Sequence, residues 1–430
     1  MSEPVVRVGM LGCGTVGAAA ARMLAANAED IAARIGVRIE VTRIAVRDLG
    51  RDRDVPQPPE VFTTDGAALV DDPDVDVVVE VIGGIEPAKQ LLLRALANGK
   101  RVVTGNKELL ANEGRDLFEA ADAAGLDLLF EAAVAGGVPI IRPLKDSLAG
   151  ERIRRVTGIV NGTTNYILTQ MTEHGWGFAD ALAEAQRLGY AEADPTADVE
   201  GFDAAAKCAI LASIAFDARV VADDVYREGI AGITAQDIAD ASRLGYVVKL
   251  LAIAELAGEE ISARVHPAMI PATHPLASVR DAFNAVFVEG ERVGQLMFYG
   301  RGAGGDPSAT SIVGDVVHAA RHVALGGRAT GCTCVRERTV QPMAATTGQY
   351  YLNLHVEDRP GALAEIAARF GEHGVSIERV WQEGAGDEAT LVFITHRARE
   401  GDFQDTLDEL RKMDVVRAVA SLLRVEGEEG

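Results

Sequence analysis

The chain has 430 residues, 48% of them hydrophobic and 5% aromatic, a composition typical of a soluble protein of roughly two to four domains. Its formal charge of −22 argues against a nucleic-acid partner, because no basic surface is available to neutralise phosphates. The N-terminus lacks a signal-peptide pattern, and the apolar runs are shorter than the roughly 20 residues of a membrane helix. Four cysteines do not indicate a disulfide framework. We therefore expect a cytoplasmic protein with reduced thiols and no membrane partner.

Residues 1–135 alternate strand and helix patterns, beginning with the apolar run VVRVGML and the alanine-rich run AAAARMLAANA. Strands separated by helices of this length predict an α/β domain with a doubly wound, parallel sheet of the Rossmann type. A second glycine-rich stretch, YGRGAGGDPSAT, precedes a helical pattern at 306–325. We expect this later helix to pack back onto the first domain and complete it.

The rest of the chain divides into three parts. Residues 136–305 show helical patterns followed by strand-like runs, which predicts an α+β domain with a mainly antiparallel sheet. A family resemblance given below, and not this pattern, implies that the domain serves substrate binding, catalysis and dimerisation. Residues 326–347 lack periodicity and are interpreted as a linker. Residues 348–430 follow the order βαββαβ, which is typical of a ferredoxin-like fold.

The stretch GCGTVG lies between the first predicted strand and the first predicted helix. Its glycines match G-x-G-x-x-G, in which the backbone turns tightly and approaches a pyrophosphate at a helix N-terminus. The alternative is an incidental tight turn, but the surrounding strand, helix and βαβ unit favour dinucleotide binding. The expected cofactor contacts are Gly12, Cys13, Gly14, Thr15, Val16 and Gly17.

The second predicted strand ends in IAVRDLGRDRD, where dinucleotide-binding domains read the ribose. Arg47 would clasp a 2′-phosphate and favour NADP, whereas Asp48 would bind the 2′-hydroxyl of NAD. A third interpretation makes both residues surface charges of a loop. We favour NADP and keep NAD as the alternative.

Two lysines are candidates for chemistry. Lys107, in TGNKELL, follows a strand of the nucleotide-binding domain, where open α/β sheets hold their ligands. Lys207 is the lone cation of the run AEADPTADVEGFDAAAKCAI and follows Asp203 by four residues on a predicted helix, so both lie on one face. The alternative for Lys207 is an ordinary i,i+4 ion pair, and for Lys107 a surface position at a helix start.

The run from Ala185 to Lys207, A-x-x-x-G-Y-A-E-A-D-P-x-x-D-V-x-G-x-D-x-x-x-K, closely resembles the signature of the homoserine dehydrogenases. The resemblance also covers GCGTVG, VEVIGG, TGNKELLA, EAAVAGGVPI, NGTTNYIL and YGRGAGGDPSAT, in the order expected for that family. The tail resembles an ACT regulatory module through HVEDRPGAL, as in the longer bacterial enzymes. Nearly the whole chain is covered.

This resemblance implies NAD(P)-dependent interconversion of L-homoserine and L-aspartate 4-semialdehyde, on the route to threonine, methionine and isoleucine. It implies that Lys207 exchanges a proton with the substrate oxygen and that Lys107 bridges cofactor and substrate. The ordinary pKa of a lysine, about 10.4, is high for a base, so such a role requires burial or a second cation. Glu192 and Asp203 are implied to bind the substrate's ammonium group and its surroundings, and Gly304 to contact the cofactor.

The resemblance also implies a monovalent-cation site, for which sodium is favoured, and an effector site. The cation ligands would be the side chain of Glu131 and the backbone carbonyls of Val134, Gly136 and Val138. A tight strand-to-helix turn is the alternative for that segment. The ACT unit is expected to bind threonine as a feedback effector, or only to mediate assembly into a homodimer or homotetramer.

Two other functional classes and one unassigned pair remain. Another NAD(P)-dependent amino-acid oxidoreductase would keep the glycine loop without the run from Ala185 to Lys207. A non-catalytic amino-acid sensor would have lost one of the two lysines, and both are present. Cys332 and Cys334, in GCTCV, suggest a metal or redox pair, but no second Cys/His pair lies nearby in sequence.

Overall fold

The computed structural model describes residues 4–384 and 388–427, which fall into two compact units. The first unit comprises residues up to 162 together with 203–225 and 282–338. The second comprises 163–202, 226–281 and the residues from 339 onward. Within the described ranges, no helix has both the length and the apolar character needed to span a bilayer.

The first unit begins with a parallel sheet and its connecting helices. The strands are β1 (Val5–Leu11), β2 (Arg38–Ala45), β3 (Phe62–Thr63), β4 (Val77–Glu80), β5 (Arg101–Thr104) and β6 (Leu128–Leu129), and the helices are α1 (Thr15–Ala26), α2 (Ala28–Ile35), α3 (Gly66–Asp71), α4 (Ala88–Ala97) and α5 (Lys107–Ala124). The strands lie in the order β3-β2-β1-β4-β5-β6. Successive strands are added on one side of β1 up to β3 and on its other side from β4 onward, so the strand order reverses between β1 and β4. Sheets of this kind bind their ligands at the carboxyl ends of the strands at that point.

Residues 136–338 contribute elements to both units. The strands are β7 (Ile153–Ile159), β8 (Tyr226–Arg227), β9 (Tyr246–Ala257), β10 (Glu260–Pro271), β11 (Phe283–Gly290) and β12 (Gly294–Arg301), and the helices are α6 (Gly162–His174), α7 (Phe178–Arg187), α8 (Thr196–Val199), α9 (Phe202–Ala215), α10 (Ala235–Arg243) and α11 (Gly305–Leu325). In the first unit, β11 pairs antiparallel with both β7 and β12. In the second, β9 and β10 form a long antiparallel pair.

The C-terminal region belongs to the second unit. Its elements are β13 (Thr347–Glu357), α12 (Ala362–Glu372), β14 (Ile377–Gly384), β15 (Glu388–Thr395), β16 (Ala398–Arg399), α13 (Glu400–Leu410) and β17 (Val416–Val425). The strands of this unit lie in the order β9-β10-β17-β13-β15-β14. The pairing of β10 with β17 is parallel, so this sheet is mixed.

Local sequence explains the elements that position the site. The four residues of β4 are all buried, as expected for a parallel strand covered on both faces. Helix α5 begins after Asn106, whose Oδ1 accepts the backbone N–H of Leu109 at 3.1 Å, and ends at Gly125 in the left-handed conformation. Helix α9 is apolar nearly all round, which is typical of a buried helix.

The fold class predicted from the sequence is confirmed, including the Rossmann sheet, the mixed α+β region and the ACT order of elements. As expected, α11 packs against α1, with Ile312 and Val316 in the same hydrophobic cluster as Ala20 and Leu24. The domain boundaries stay predictions, because the compact units combine segments that are distant in sequence.

Two apolar runs of the sequence form shorter strands or helices than their patterns predict. The run LDLLFEAAV forms only β6 and a 3₁₀ turn, Glu131–Ala133. The run IIRPLKDSLAG forms a short helical segment that is π-helical over Pro143–Ser147, where proline removes one backbone donor. Both segments depend on contacts with residues distant in sequence, which a local pattern does not reveal.

Candidate active site

The loop between β1 and α1 requires its glycines. Gly12 has a φ of +106°, and a Cβ placed on it would lie 2.9 Å from the carbonyl oxygen of Val81. A Cβ on Gly17 would lie 2.5 Å from the carbonyl oxygen of Gly12. Gly14, the N-cap of α1, has no side chain to satisfy the first backbone N–H groups of the helix. These donors and the positive end of the helix dipole suit a pyrophosphate.

A second glycine loop lies beside the first. Gly304, with a φ of +120°, is the N-cap of α11. A Cβ on Gly305 would lie 3.1 Å from Cγ2 and 3.3 Å from the carbonyl oxygen of Thr15. The start of α11 therefore approaches the start of α1. The residues predicted to contact the cofactor in these two loops lie close together, and the cradle they form fits a dinucleotide.

The end of β2 presents basic side chains. Arg47 and Asp48 are both exposed. Oδ1 of Asp48 accepts the backbone N–H of Gly50 at 2.8 Å, so one oxygen of this carboxylate is engaged within its own turn. Arg51 and Arg53 line a cleft in the same segment. Asp52 lines the same cleft, so charges of both signs lie here, and the choice between Arg47 and Asp48 stays a prediction.

Lys107 lies at the carboxyl edge of the parallel sheet, as expected. It is the first residue of α5, directly after the N-cap Asn106. The side-chain amide of Asn106 donates to the carbonyl oxygen of Gly84 at 2.7 Å. The buried Glu80 accepts the hydroxyl of Thr104 at 2.6 Å, which joins the ends of β4 and β5. The start of α5 is therefore held by polar contacts along the edge that also carries the first glycine loop.

One carboxylate contacts both candidate lysines. Oδ1 of Asp203 lies 2.9 Å from Nζ of Lys107, and Oδ2 lies 2.7 Å from Nζ of Lys207. The side chains of Asp203 and Lys207 are 9% and 12% exposed, whereas that of Lys107 is 42% exposed. The i,i+4 contact expected from the spacing is present. The structure adds Lys107, which comes from a different helix.

The end of β7 completes this cluster. Nζ of Lys207 donates to the backbone carbonyl of Val160 at 2.7 Å. Nδ2 of Asn161 donates to Oδ2 of Asp203 at 2.9 Å. NGTTNYIL is one of the motifs that carry the family resemblance, but the sequence alone predicts no role for Asn161. The signal was its position directly after a strand, where polar side chains gather at a sheet edge.

The charge state of Asp203 follows from these contacts. Burial alone would raise the pKa of its carboxyl group, but the positive charges of Lys207 and Lys107 act in the opposite direction. Hydrogen bonds from Lys207 and Asn161 add to that effect, so the pKa of Asp203 lies well below its usual range. The carboxylate therefore stays charged at pH values where an ordinary aspartate would take up a proton.

Glu192 is exposed and belongs to the second unit, whereas the two lysines, Asp203 and Asn161 belong to the first. Its predicted contact with the ammonium group of a substrate stays a prediction.

The predicted cation ligands make other contacts. The carboxylate of Glu131 accepts the backbone N–H groups of Ile140, Ile141 and Arg142 at 2.5, 2.8 and 2.9 Å. The carbonyl oxygen of Gly136 accepts the hydroxyl of Ser311 at 2.6 Å. A carboxylate has about four acceptor positions, so Glu131 is largely committed to holding the following turn. The sodium site stays a prediction.

Asp315 on α11 anchors the same segment. Its Oδ2 accepts the backbone N–H of Glu131 at 2.8 Å, and its Oδ1 pairs with the guanidinium of Arg142. Burial raises the pKa of Asp315 to about 7. Within the described residues, no group of three or more His, Cys, Asp or Glu side chains is arranged to hold a metal ion. The carboxylates of Glu131 and Asp315 accept backbone N–H groups of this segment and hold it in place.

Comparison with family models covers three parts of the chain. Residues 12–131 match the NAD-binding domain of homoserine dehydrogenase, and residues 139–317 match the homoserine dehydrogenase model itself. Residues 350–415 match the ACT domain. Together the matches follow the order of the three regions expected from the sequence.

Whole-chain relatives agree with these matches. A homoserine dehydrogenase of Corynebacterium glutamicum is 52% identical over 98% of this chain and 96% of its own length. The crystal structure of a homoserine dehydrogenase from Thiobacillus denitrificans has a TM-score of 0.92 and 41% identity, and the match covers 98% of both chains. A hyperthermophilic archaeal homoserine dehydrogenase in complex with NADPH has a TM-score of 0.63 and 29% identity, and the match covers 73% of this chain and 97% of the archaeal chain.

Substituting Asp203 should change how stability depends on pH. A carboxyl group whose pKa is lowered by folding stabilises the protein above its unfolded pKa, about 3.9, and this contribution is lost as the pH falls through the lowered folded value. The urea midpoint of the wild type should therefore decrease more steeply than that of Asp203→Asn as the pH falls below about 5. Asp74→Asn, at an exposed position of the same unit, is the control and should follow the wild type. Parallel curves for wild type and Asp203→Asn would contradict this assignment of charge.

Proposed function

Because this chain belongs to the homoserine dehydrogenase family and is an oxidoreductase, we propose that Lys207 exchanges a proton with the oxygen of the substrate's alcohol or aldehyde group. The proposed reaction is the NAD(P)-dependent interconversion of L-homoserine and L-aspartate 4-semialdehyde. The observation that carries the proposal is the shared contact of Lys107 and Lys207 with Asp203. A non-catalytic sensor would have no need to hold two cations on one buried carboxylate.

The contacts of Lys207 support a role as proton carrier. A lysine ammonium has three N–H donors. Two acceptors lie within hydrogen-bond distance of Nζ, namely Oδ2 of Asp203 and the carbonyl oxygen of Val160. The third donor is then available to a substrate oxygen. Because Lys207 lies on a buried helix and its nitrogen is held from two sides, its position relative to that oxygen would vary little.

The proposed mechanism assigns separate roles to the two lysines. When bound, the nicotinamide cofactor accepts or supplies the hydride at the carbon that bears the substrate oxygen. In the reductive direction, Lys207 donates its proton to the aldehyde oxygen as negative charge develops there. In the oxidative direction, the neutral amine of Lys207 takes the hydroxyl proton. Lys107, which is more exposed, adds positive charge near the same oxygen, and Asp203 holds both side chains in position.

Lys207→Ala should lose nearly all homoserine-dependent reduction of NADP or NAD, measured by absorbance of the reduced nicotinamide. We expect kcat to fall by about 10²- to 10⁴-fold, the usual contribution of a positioned acid or base. Lys207→Arg should be similarly impaired, because a guanidinium keeps its charge but does not release its proton. Lys412→Ala, which removes an exposed lysine of the second unit, is the matched control and should leave kcat unchanged.

Cofactor binding shows whether a loss of activity comes from the missing lysine or from a misfolded variant. Both Lys207 variants should bind NADPH as the wild type does, because the glycine loops are unaltered. A Lys207→Ala variant that binds cofactor and keeps wild-type kcat would overturn the proposed role. Absence of homoserine oxidation by the wild type with either cofactor would overturn the proposed reaction itself.

We propose that NADP is the preferred cofactor. The support comes from the exposed Arg47 at the end of β2, from Arg51 and Arg53 beside it, and from the local hydrogen bond that engages Asp48. The archaeal relative described in complex with NADPH is consistent with this choice. A guanidinium suits a phosphate because it donates paired hydrogen bonds to a doubly charged group.

Arg47→Ala should raise KM for NADP by about tenfold or more, because a hydrogen bond to a charged group contributes about 1.5–3 kcal/mol. KM for NAD should change little, since NAD has no 2′-phosphate. Arg34→Ala, which removes another arginine of the first unit, is the control. Initial rates at saturating homoserine measure both constants. An equal effect of Arg47→Ala on NADP and NAD would show that this residue does not read the 2′-phosphate.

We further propose that threonine regulates the enzyme through the ACT domain. The support is the family match over residues 350–415 and the turn between β13 and α12. Gly361, with a φ of +89°, is the N-cap of α12 and has no side chain over the first backbone N–H groups of the helix. Such a helix start attracts the carboxylate of an amino acid. The alternative, an ACT domain that only mediates assembly, predicts no response to threonine.

L-Threonine should reduce the activity of the wild type in a saturable manner. Leu363→Asp places a negative charge in the first turn of α12, at a position that is 37% exposed, and should weaken the response to threonine about tenfold or more. Leu363→Asn has nearly the same shape without the charge and should respond almost as the wild type does. Enzyme activity that is independent of threonine in the wild type would favour the assembly role.

Several finer expectations stay proposals. They are a monovalent cation, assembly into a homodimer or homotetramer, a place in threonine and methionine biosynthesis, and a cytoplasmic location. None of them enters the mechanism above.

A further inference from the structure

The proposed reaction makes no use of a pair of cysteines that follows α11. Cys332 and Cys334 are separated by Thr333, and both are free and only partly buried. The other two cysteines, Cys13 and Cys208, are buried. Small solutes can therefore reach the Cys332–Cys334 pair more readily than the other thiols.

The backbone turns so that the sulfur of Cys332 contacts the backbone of Cys334. The N–H of Val335 donates to the carbonyl oxygen of Thr333 at 2.7 Å, which bends the chain at Cys334. The N–H of Cys334 donates to Sγ of Cys332 at 3.4 Å. Chain connectivity keeps the two Cα atoms within about 7 Å, near the upper end of the range that a disulfide spans.

The surroundings distinguish the two sulfurs. Hydrogen bonding from Cys334 lowers the pKa of Cys332, against the effect of burial. The charge of Asp122 raises this pKa, and the charge of Lys145 lowers it. The hydrogen bonding between the two cysteines raises the pKa of Cys334. Nζ of Lys145 is partly buried and lies 5.3 Å from the ring centroid of Phe130. Cys332 is therefore the better nucleophile, and Cys334 keeps its proton.

Acidic residues of the first unit hold this segment in place. The backbone N–H of Cys332 donates to Oδ2 of Asp122 at 3.2 Å, and that of Ala329 donates to Oδ1 of Asp127 at 2.7 Å. The hydroxyl of Thr330 donates to Oδ1 of Asp146 at 2.9 Å. The thiol pair thus lies on an anchored stretch of chain, which keeps the sulfurs together in the reduced protein.

We propose that Cys332 and Cys334 form a redox-active dithiol that hydroperoxides convert into an intrachain disulfide, with Cys332 as the attacking sulfur. The Cys332 thiolate attacks the terminal peroxide oxygen, so that an S–O bond forms, the O–O bond breaks and the released alkoxide, or hydroxide in the case of hydrogen peroxide, takes up a proton. The sulfur of Cys334 then attacks the resulting sulfenic acid. An S–S bond forms, the S–O bond breaks, and the hydroxyl group leaves as water with the proton of Cys334. Two thiols are oxidised and one peroxide is reduced.

Trypsin isolates this pair from the other cysteines. Cleavage after Arg328 and Arg336 releases ATGCTCVR, which contains Cys332 and Cys334 alone. After treatment of the folded chain with hydrogen peroxide, mass spectrometry should show this peptide lighter by two hydrogen atoms. The peptides that carry Cys13 and Cys208 should be unchanged. A thiol reductant should reverse the change, since so short a bridge is readily reduced.

Single substitutions assign the two sulfurs. Cys334→Ser should accumulate a sulfenic acid at Cys332 that a 1,3-diketone reagent traps, because no second thiol resolves it. Cys332→Ser should give neither a disulfide nor a trapped adduct at the peroxide concentration that oxidises the wild type. The reverse pattern would overturn the assignment of the nucleophile. A wild-type peptide that stays reduced, or a pair protected from peroxide by a tightly bound metal ion, would overturn the proposal.

The pH profile of the reaction of Cys332 with peroxide shows whether Lys145 acts through its charge, because a purely structural role would leave that profile unchanged. Lys145→Met should shift the pH profile of the reaction of Cys332 with peroxide upward and slow the reaction about two- to threefold on the acidic side of that profile, because less thiolate is present there. Lys412→Met removes an exposed lysine and should leave the rate unchanged. Equal rates for Lys145→Met and the wild type at every pH would contradict the electrostatic part of the argument.

Discussion

The carboxylate of Asp203 is the interaction on which the proposed chemistry depends. It contacts one lysine from α5 and one from its own helix, at 2.9 and 2.7 Å. Two ammonium groups placed side by side repel each other, and burial would disfavour the charge of each. A shared carboxylate removes both difficulties, and it also fixes where the two nitrogen atoms lie. Asn161 in turn fixes the carboxylate.

Three parts of the first unit meet at this cluster. The parallel sheet supplies the start of α5 at its carboxyl edge, Val160 and Asn161 directly follow β7, and α9 carries Asp203 and Lys207. The glycine loops before α1 and α11 lie together in the same unit, where their close backbone contacts exclude side chains. The first unit therefore contains both the loops expected to bind the cofactor and the two lysines proposed to act on the reacting oxygen.

Much of this arrangement could be predicted from local patterns. The glycine loop with its strand and helix predicted the Rossmann sheet, and the spacing of Asp203 and Lys207 predicted their contact. The contact of Lys107 with Asp203 could not be predicted, because it joins helices that are distant in the chain. Glu131 shows the same limit: its carboxylate binds backbone N–H groups that only the folded turn brings to it. Local periodicity carries no information about which distant donors surround a buried acid.

The most direct test of the account is whether the two lysines act as one unit. The measurement is kcat/KM for homoserine oxidation in Lys107→Ala, Lys207→Ala and the double variant. Groups that act together on one reacting atom give strongly non-additive losses. The account predicts that the double variant is scarcely worse than the more damaged single variant. Losses that multiply would mean that Lys107 and Lys207 act independently, and would contradict the role given to Asp203.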